Sequence, residues 1–120
     1  MRTMGLKLVK ADRGKAVMQI RATRRFHNPM GTLHGGVMTD LADATMGVAL
    51  MTTLGEGESF TTLELKMNFL RPVIEDVLTS TAIVVHRGKT IAVVGSVLRN
   101  KAGKVVARGV ATQMILRASG

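Results

Sequence analysis

Residues 36–53 read GVMTDLADATMGVALMTT, and this stretch decides the fold because its apolar residues recur at helical spacing. The spacing predicts a helix over 36–53. Its predicted buried arc is Val37, Leu41, Ala44, Val48 and Met51, widened by Met38, Thr45 and Ala49. The opposite side carries small and acidic residues, here called the seam: Gly36, Asp40, Asp43 and Gly47. We therefore expect one helix, packed on most sides and open along a polar seam.

The rest of the chain has the pattern of strands and turns. Residues 60–71 alternate, which predicts Leu63, Leu65, Met67 and Phe69 on one face and Thr62, Glu64, Lys66 and Asn68 on the other. Further strands are predicted over 4–10, 15–23, 76–86, 90–99 and 105–116, with turns at 12–14, 87–89 and 100–104. The order ββαββββ predicts an α+β fold in which an antiparallel sheet packs the helix on one face.

The composition predicts a single domain over residues 1–120 with a core of ordinary size. The chain has no cysteine, which excludes disulfide scaffolds, thiolate metal sites and cysteine nucleophiles and makes a cytoplasmic location the expectation. No apolar run is long enough for a signal peptide or a membrane span, so no membrane association is expected.

The formal net charge is +9, and the basic residues concentrate at the two ends of the chain. Such a charge first suggests binding to nucleic acid. However, three Phe and no Trp or Tyr leave little on which bases could stack, and no finger or basic helix is present. The charge is therefore interpreted as a solvated surface or as attraction for a small polyanionic ligand such as a phosphorylated cofactor.

The start of the predicted helix holds the first candidate site. Gly35 and Gly36 leave unpaired backbone N–H groups at the positive end of the helix dipole, where they could stabilise a developing oxyanion. Close packing explains two glycines equally well, and both interpretations stay open. Asn28 and His34 flank this loop, and His34 could orient a water or simply hold the loop. The three histidines lack metal-ligand spacing, so no metal is predicted.

Asp43 lies further along the seam and is the candidate general base or nucleophile, with a pKa raised by desolvation. An ion-paired or solvent-facing carboxylate is the structural alternative. Asp40 lies closer to the helix start, where an acid is stabilising without any function.

Three segments together resemble hotdog-fold acyl-CoA thioesterases of the phenylacetate-pathway type: residues 28–36 (NPMGTLHGG), residues 41–43 (LAD) and residues 68–72 (NFLRP). The resemblance covers nearly the whole chain, including the element order. It implies a sheet wrapped around one long helix, and a homodimer or a dimer-of-dimers tetramer with the active site at the subunit interface.

The resemblance also implies roles for individual residues. Asp43 would activate water or attack the thioester, the Gly35 N–H and Asn28 would polarise its carbonyl, and His34 would hold the loop. A strand hydroxyl would position the water: Thr62 by its distance from Pro72, or Thr61 by counting from Asp43. Gly36 and the last hairpins would bind coenzyme A, which makes Arg87, Gly88 and Lys89 candidates; an ordinary polar hairpin is the alternative for these three.

The resemblance therefore implies acyl-CoA hydrolysis with no cofactor beyond the substrate's own coenzyme A. Met38, Met46, Met67 and Phe69 could line an acyl slot, although each could equally be core. A non-catalytic acyl-CoA-binding module and a hotdog hydratase or dehydratase are the alternatives. The preferred acyl group stays open.

Overall fold

The computed structural model describes residues 5–118 and confirms the predicted ββαββββ order. The elements are β1 (Lys7–Asp12), β2 (Lys15–Ala22), α1 (Gly35–Met51), β3 (Glu58–Phe69), β4 (Asp76–Arg87), β5 (Ile91–Arg99) and β6 (Val105–Arg117). A 3-10 turn over Arg24–Phe26, which the sequence analysis missed, precedes the loop to α1. The predicted strand over 4–10 is found later, at Lys7–Asp12, and its first residue, Met4, is outside the described residues.

All six strands form one antiparallel sheet with the order β1-β2-β4-β5-β6-β3. Alternate residues of the central strands are buried, because one face of the sheet packs against α1. We call this the helix-side face. β1 and β3 are the two edges of the sheet. Within residues 5–118, no helix is long and apolar enough to cross a membrane.

Helix α1 starts one residue earlier and ends two residues earlier than predicted. Its buried residues are Val37, Met38, Leu41, Ala42, Thr45, Met46, Ala49 and Leu50. The predicted arc was therefore wrong on one flank: Ala44 and Val48 are half-buried and Met51 is 59% exposed. The error has a physical cause, because a helix that is apolar on nearly every side does not reveal by spacing alone which flank meets the sheet. The seam lies opposite the buried face, as predicted.

Two glycines of α1 allow β3 to lie close to the helix. A Cβ on Gly47 would lie 3.4 Å from the ring of Phe60, and a Cβ on Gly35 would lie 3.3 Å from the ring of Phe69. Because Phe60 meets the end of the helix and Phe69 meets its start, β3 runs antiparallel to α1. Small residues thus let the helix and the strand approach closely at both ends of the helix.

A β-bulge in β3 changes which side chains share a face. The β3–β6 register shifts between Thr62 and Glu64, so that Leu63 is the extra residue. Thr62 pairs with Gln113, which is fully buried on the helix-side face. The prediction that Thr62 shares a face with Glu64 was therefore wrong, because simple alternation does not hold across a bulge.

Candidate active site

The loop before α1 leaves one backbone donor without a partner. The ring of His34 caps the helix, its Nδ1 accepting from the Gly36 N–H at 2.9 Å, and the backbone N–H of His34 donates to Phe26 O. The Gly35 N–H has no hydrogen-bond partner in the described part of the chain. Of the two predicted donors, the Gly36 N–H is therefore occupied and the Gly35 N–H is available to a ligand oxygen.

A cavity of about 360 Å³ opens beside Gly35. Its walls include Leu33, Met38 and Phe69, and Arg71 lies at the same opening. Apolar walls next to a free N–H suit an apolar group attached to a carbonyl. Of the other methionines considered for such a slot, Met46 is fully buried in the core and does not line this cavity.

The Asn28 side chain stabilises the loop before α1 through hydrogen bonds. Its side-chain oxygen accepts from the N–H groups of Met30 (2.9 Å) and Thr32 (3.3 Å), and its Nδ2 donates to Thr32 Oγ1 at 3.1 Å. This loop contact explains the residue structurally. A contribution to polarising a carbonyl stays a prediction, for which the second N–H of the amide is available.

The Asp43 carboxylate is exposed on the seam of this single chain. Partial desolvation, and after it the negative charge of Asp40, raise the pKa of Asp43 above its usual range. A carboxylate with a raised pKa is a stronger base when ionised, which suits proton abstraction.

One chain alone does not bring Gly35 and Asp43 together. They are eight positions apart on α1, which corresponds to roughly 12 Å along the axis. A carbonyl whose oxygen binds the Gly35 N–H is thus beyond the reach of Asp43 of the same chain.

Thr62 and Thr61 lie on different faces of the sheet. Thr62 Oγ1 donates to Gln113 Oε1 at 2.8 Å on the helix-side face, whereas Thr61 pairs with Met114 and points away. Along the helix axis, Thr62 lies at about the level of Asp43. It is two positions from Phe60, which meets Gly47, and Asp43 lies about one helical turn before Gly47.

No group of three or more His, Asp or Glu side chains suited to a metal ion occurs within residues 5–118, and the absence of a catalytic metal stays a prediction.

Comparison with known proteins identifies the family. Residues 30–107 match the Thioesterase superfamily. The chain belongs to this superfamily. Its relatives include the 1,4-dihydroxy-2-naphthoyl-CoA hydrolase of Listeria monocytogenes, 34% identical over 76% of this chain and 74% of the relative. Human acyl-coenzyme A thioesterase 13 is 33% identical over 85% of this chain and 74% of the relative.

The solved structure of the PaaI protein from the phenylacetic acid degradation operon of Escherichia coli superimposes with a TM-score of 0.89 at 29% identity, covering 99% of this chain and 83% of that one. The predicted hotdog fold and the resemblance to PaaI-type thioesterases are thus confirmed, and the chain is a thioester hydrolase.

The three hairpin residues proposed to bind coenzyme A, Arg87, Gly88 and Lys89, lie near the other end of α1. Arg87 donates to Glu58 (2.6 Å), to Thr53 (3.3 Å) and to the carbonyl of Gly88 (2.6 Å). Three of the five N–H donors of its guanidinium group are therefore engaged within the chain. These contacts support the structural alternative for Arg87, and its contact with coenzyme A stays a prediction.

The neighbouring residues of that hairpin differ from Arg87. A Cβ on Gly88 would lie 2.8 Å from Ile91 O, so this glycine is required by packing. Lys89 is exposed, and its contact with coenzyme A stays a prediction.

Glu58 is the centre of this structural cluster, since Arg117 also contacts it at 2.9 Å and its side chain is only 14% exposed. The hydrogen bond from the Gly55 N–H, followed by the charges of Arg87 and Arg117, holds the pKa of Glu58 below its usual range, although burial opposes this. A carboxyl group with a lowered folded-state pKa stabilises the fold above its unfolded-state pKa, and this stabilisation is lost as pH falls through the folded-state pKa.

Glu58→Gln is accordingly expected to lower the Tm by several degrees at neutral pH, because two arginines lose their shared counter-charge. The difference from the wild type should shrink as the solution is acidified into the carboxyl range. Thermal unfolding at a series of pH values measures both effects, with the exposed Glu64→Gln as control. A difference that is independent of pH would contradict the linkage.

Sequence reasoning missed one functional candidate, Gln113. The sequence held a signal for it: in a strand, Ala111, Gln113 and Ile115 lie on the same face, and Gln113 is the polar residue between two apolar ones.

Proposed function

We propose that this protein hydrolyses an acyl- or aryl-CoA thioester to the free acid and coenzyme A. The observation that carries the proposal is the unpaired Gly35 N–H at the start of α1, beside an apolar cavity, in a chain of the Thioesterase superfamily. The names of two relatives, a naphthoyl-CoA hydrolase and an acyl-coenzyme A thioesterase, support a coenzyme A ester as the substrate class.

In the proposed reaction, the Asp43 carboxylate takes a proton from a water molecule whose oxygen attacks the thioester carbon. The Gly35 N–H donates to the carbonyl oxygen as it becomes negative. The C–S bond then breaks, and the coenzyme A sulfur leaves with the proton from Asp43. Direct attack by Asp43 would instead displace the coenzyme A sulfur and form a mixed anhydride between Asp43 and the acyl group. If water then attacks the Asp43 carboxyl carbon, the product acid carries an oxygen of the protein, so an unlabelled product after a single turnover in ¹⁸O-water would indicate this route.

A second copy of the chain completes the proposed site. Because Gly35 and Asp43 of one chain are roughly 12 Å apart, a symmetric dimer can bring Gly35 of one copy to Asp43 of the other. β3 supports this arrangement: it is a 12-residue edge strand with exposed apolar side chains at Leu63 and Phe69, followed directly by the exposed Leu70, and such an edge is normally covered. A dimer of dimers and a cytoplasmic location stay predictions.

Thiol release from a panel of acyl- and aryl-CoA esters tests the function. A thiol reagent reports only liberated coenzyme A, because the protein has no cysteine. Turnover of at least one ester is expected, and the preferred ester identifies the acyl group that the cavity accepts. Binding of esters without turnover would instead indicate the acyl-CoA-binding module, and an absence of both would overturn the proposal.

Asp40→Asn is expected to shift the acid limb of the rate profile of the enzyme. A general base must be ionised, so kcat/KM rises with pH through the pKa of Asp43, and the Asp40 charge raises that pKa. Without that charge, the limb should move to lower pH with the plateau rate nearly unchanged. Glu56→Gln changes the net charge equally at an exposed position and should leave the limb in place. An unmoved limb in Asp40→Asn would exclude Asp43 as the titrating group.

A further inference from the structure

Gln113 is a buried amide with one half of its hydrogen-bonding capacity unused. The side chain is fully buried on the helix-side face of β6. Its Oε1 accepts from Thr62 Oγ1 at 2.8 Å, and its Nε2 has no partner in the described part of the chain. An apolar residue would fill this position without leaving a polar group unpaired, as Ala111 and Ile115 do on the same face.

A buried amide with an unpaired N–H₂ group is costly to the fold. Buried polar groups without a partner concentrate at functional sites, where they contribute to the chemistry at a cost in stability. Within residues 5–118, the Gln113 side chain makes one hydrogen bond, to the Thr62 hydroxyl. Any function of Gln113 is therefore expected to act through that hydroxyl.

Thr62 connects the buried amide to an exposed position on the helix-side face of β3. Thr62 is exposed, yet its hydroxyl donates its hydrogen to the buried Gln113. Along the antiparallel pair of β3 and α1, Thr62 lies at the level of Asp43, next to the contact of Phe60 with Gly47. The β-bulge after Thr62 allows this orientation. Without the extra residue, Thr62 would lie on the same face as Glu64 and not on the helix-side face.

We propose that Gln113 is a positioning residue that fixes the direction of the Thr62 hydroxyl. With its hydrogen donated to Gln113, Thr62 Oγ1 presents only lone pairs to the site and acts there as an acceptor. A water beside Asp43 then donates one hydrogen to Thr62 and the other to the Asp43 carboxylate. A lone pair of the water oxygen then points at the thioester carbon. This inference rests on the proposed hydrolysis and specifies how its water is oriented.

A double-mutant cycle in the full-length protein tests the inference. Gln113→Met keeps the length of the side chain and removes the acceptor, and Thr62→Val removes the hydroxyl. Each is expected to lower kcat about tenfold with KM little changed, because a misoriented water affects the chemical step. The double variant should be no slower than Thr62→Val alone, since both changes remove the same contact.

Stability and a matched pair separate positioning from a structural role. Gln113→Met should not lower the Tm, because it also removes the unpaired amide, whereas a structural role predicts a clear loss. Gln113→Leu serves if the Met variant does not fold. Gln19→Met is the control: Gln19 donates to Thr79 at 3.0 Å between β2 and β4, away from the seam, so kcat should stay unchanged.

The outcomes distinguish the inference from the function on which it rests. If the wild type cleaves no ester, the proposed function fails and the inference fails with it. If the wild type is active and Thr62→Val is slow but Gln113→Met is not, the inference alone is overturned. Full activity of Thr62→Val, or losses that multiply in the double variant, would also overturn it.

Discussion

Asp43→Asn is expected to lower kcat for thioester hydrolysis by roughly 10²–10⁴-fold, the usual contribution of a general base. Asn has nearly the same shape as Asp but does not accept the proton of the attacking water. The fold should persist, because Asp43 is exposed on the seam. The substitution also removes the repulsion from Asp40 that raises the pKa of Asp43, so the Tm should not fall.

The measurement is steady-state thiol release with the preferred ester, together with the Tm and the mass in solution. Asp40→Asn is the matched control, since it removes the same charge about one helical turn away and is expected to keep its plateau rate. Equal losses in the two variants would point to a general effect of seam charge. An unchanged rate in Asp43→Asn would remove Asp43 from the mechanism.

The element order and the seam could be predicted because their signals are local. Helical spacing, the glycines before and within α1 and the alternation of the strands each lie within a few neighbouring residues. The facing of Thr62 could not be predicted in this way. It depends on Leu63 being the extra residue of a bulge, and that is decided by the partner strand β6.

The contacts of Arg87 and Gln113 could not be predicted for a related reason. Arg87 reaches Glu58 across 29 positions of sequence, and Gln113 reaches Thr62 across 51, so neither contact leaves a trace in local spacing. A basic residue at a turn suggests an anion site, and the fold shows in addition that Arg87 has an acidic partner, Glu58, within the chain. Charge in a sequence indicates which partners are possible, and only the fold decides which contacts are made.

Gly35→Pro is expected to lower kcat by roughly 10²–10³-fold, the cost of removing one oxyanion donor. Gly35 is the first residue of α1, where proline is tolerated and removes the N–H. His34, at φ −62° and ψ 131°, already has the extended backbone that a residue before proline requires. Gly35→Ala is the control, because it adds a similar contact with Phe69 yet keeps the N–H. Equal losses in both variants would assign the effect to crowding.

Mixing the two inactive proteins tests whether the site is shared between copies. If Gly35 of one chain acts with Asp43 of its partner, a dimer of one Gly35→Pro chain and one Asp43→Asn chain contains one intact site and one doubly altered site. Random assembly of equal amounts should then restore about a quarter of the wild-type activity, since half of the dimers are mixed. A site contained within one chain would regain nothing on mixing. Recovery would therefore show that the roughly 12 Å between Gly35 and Asp43 is bridged by a second copy.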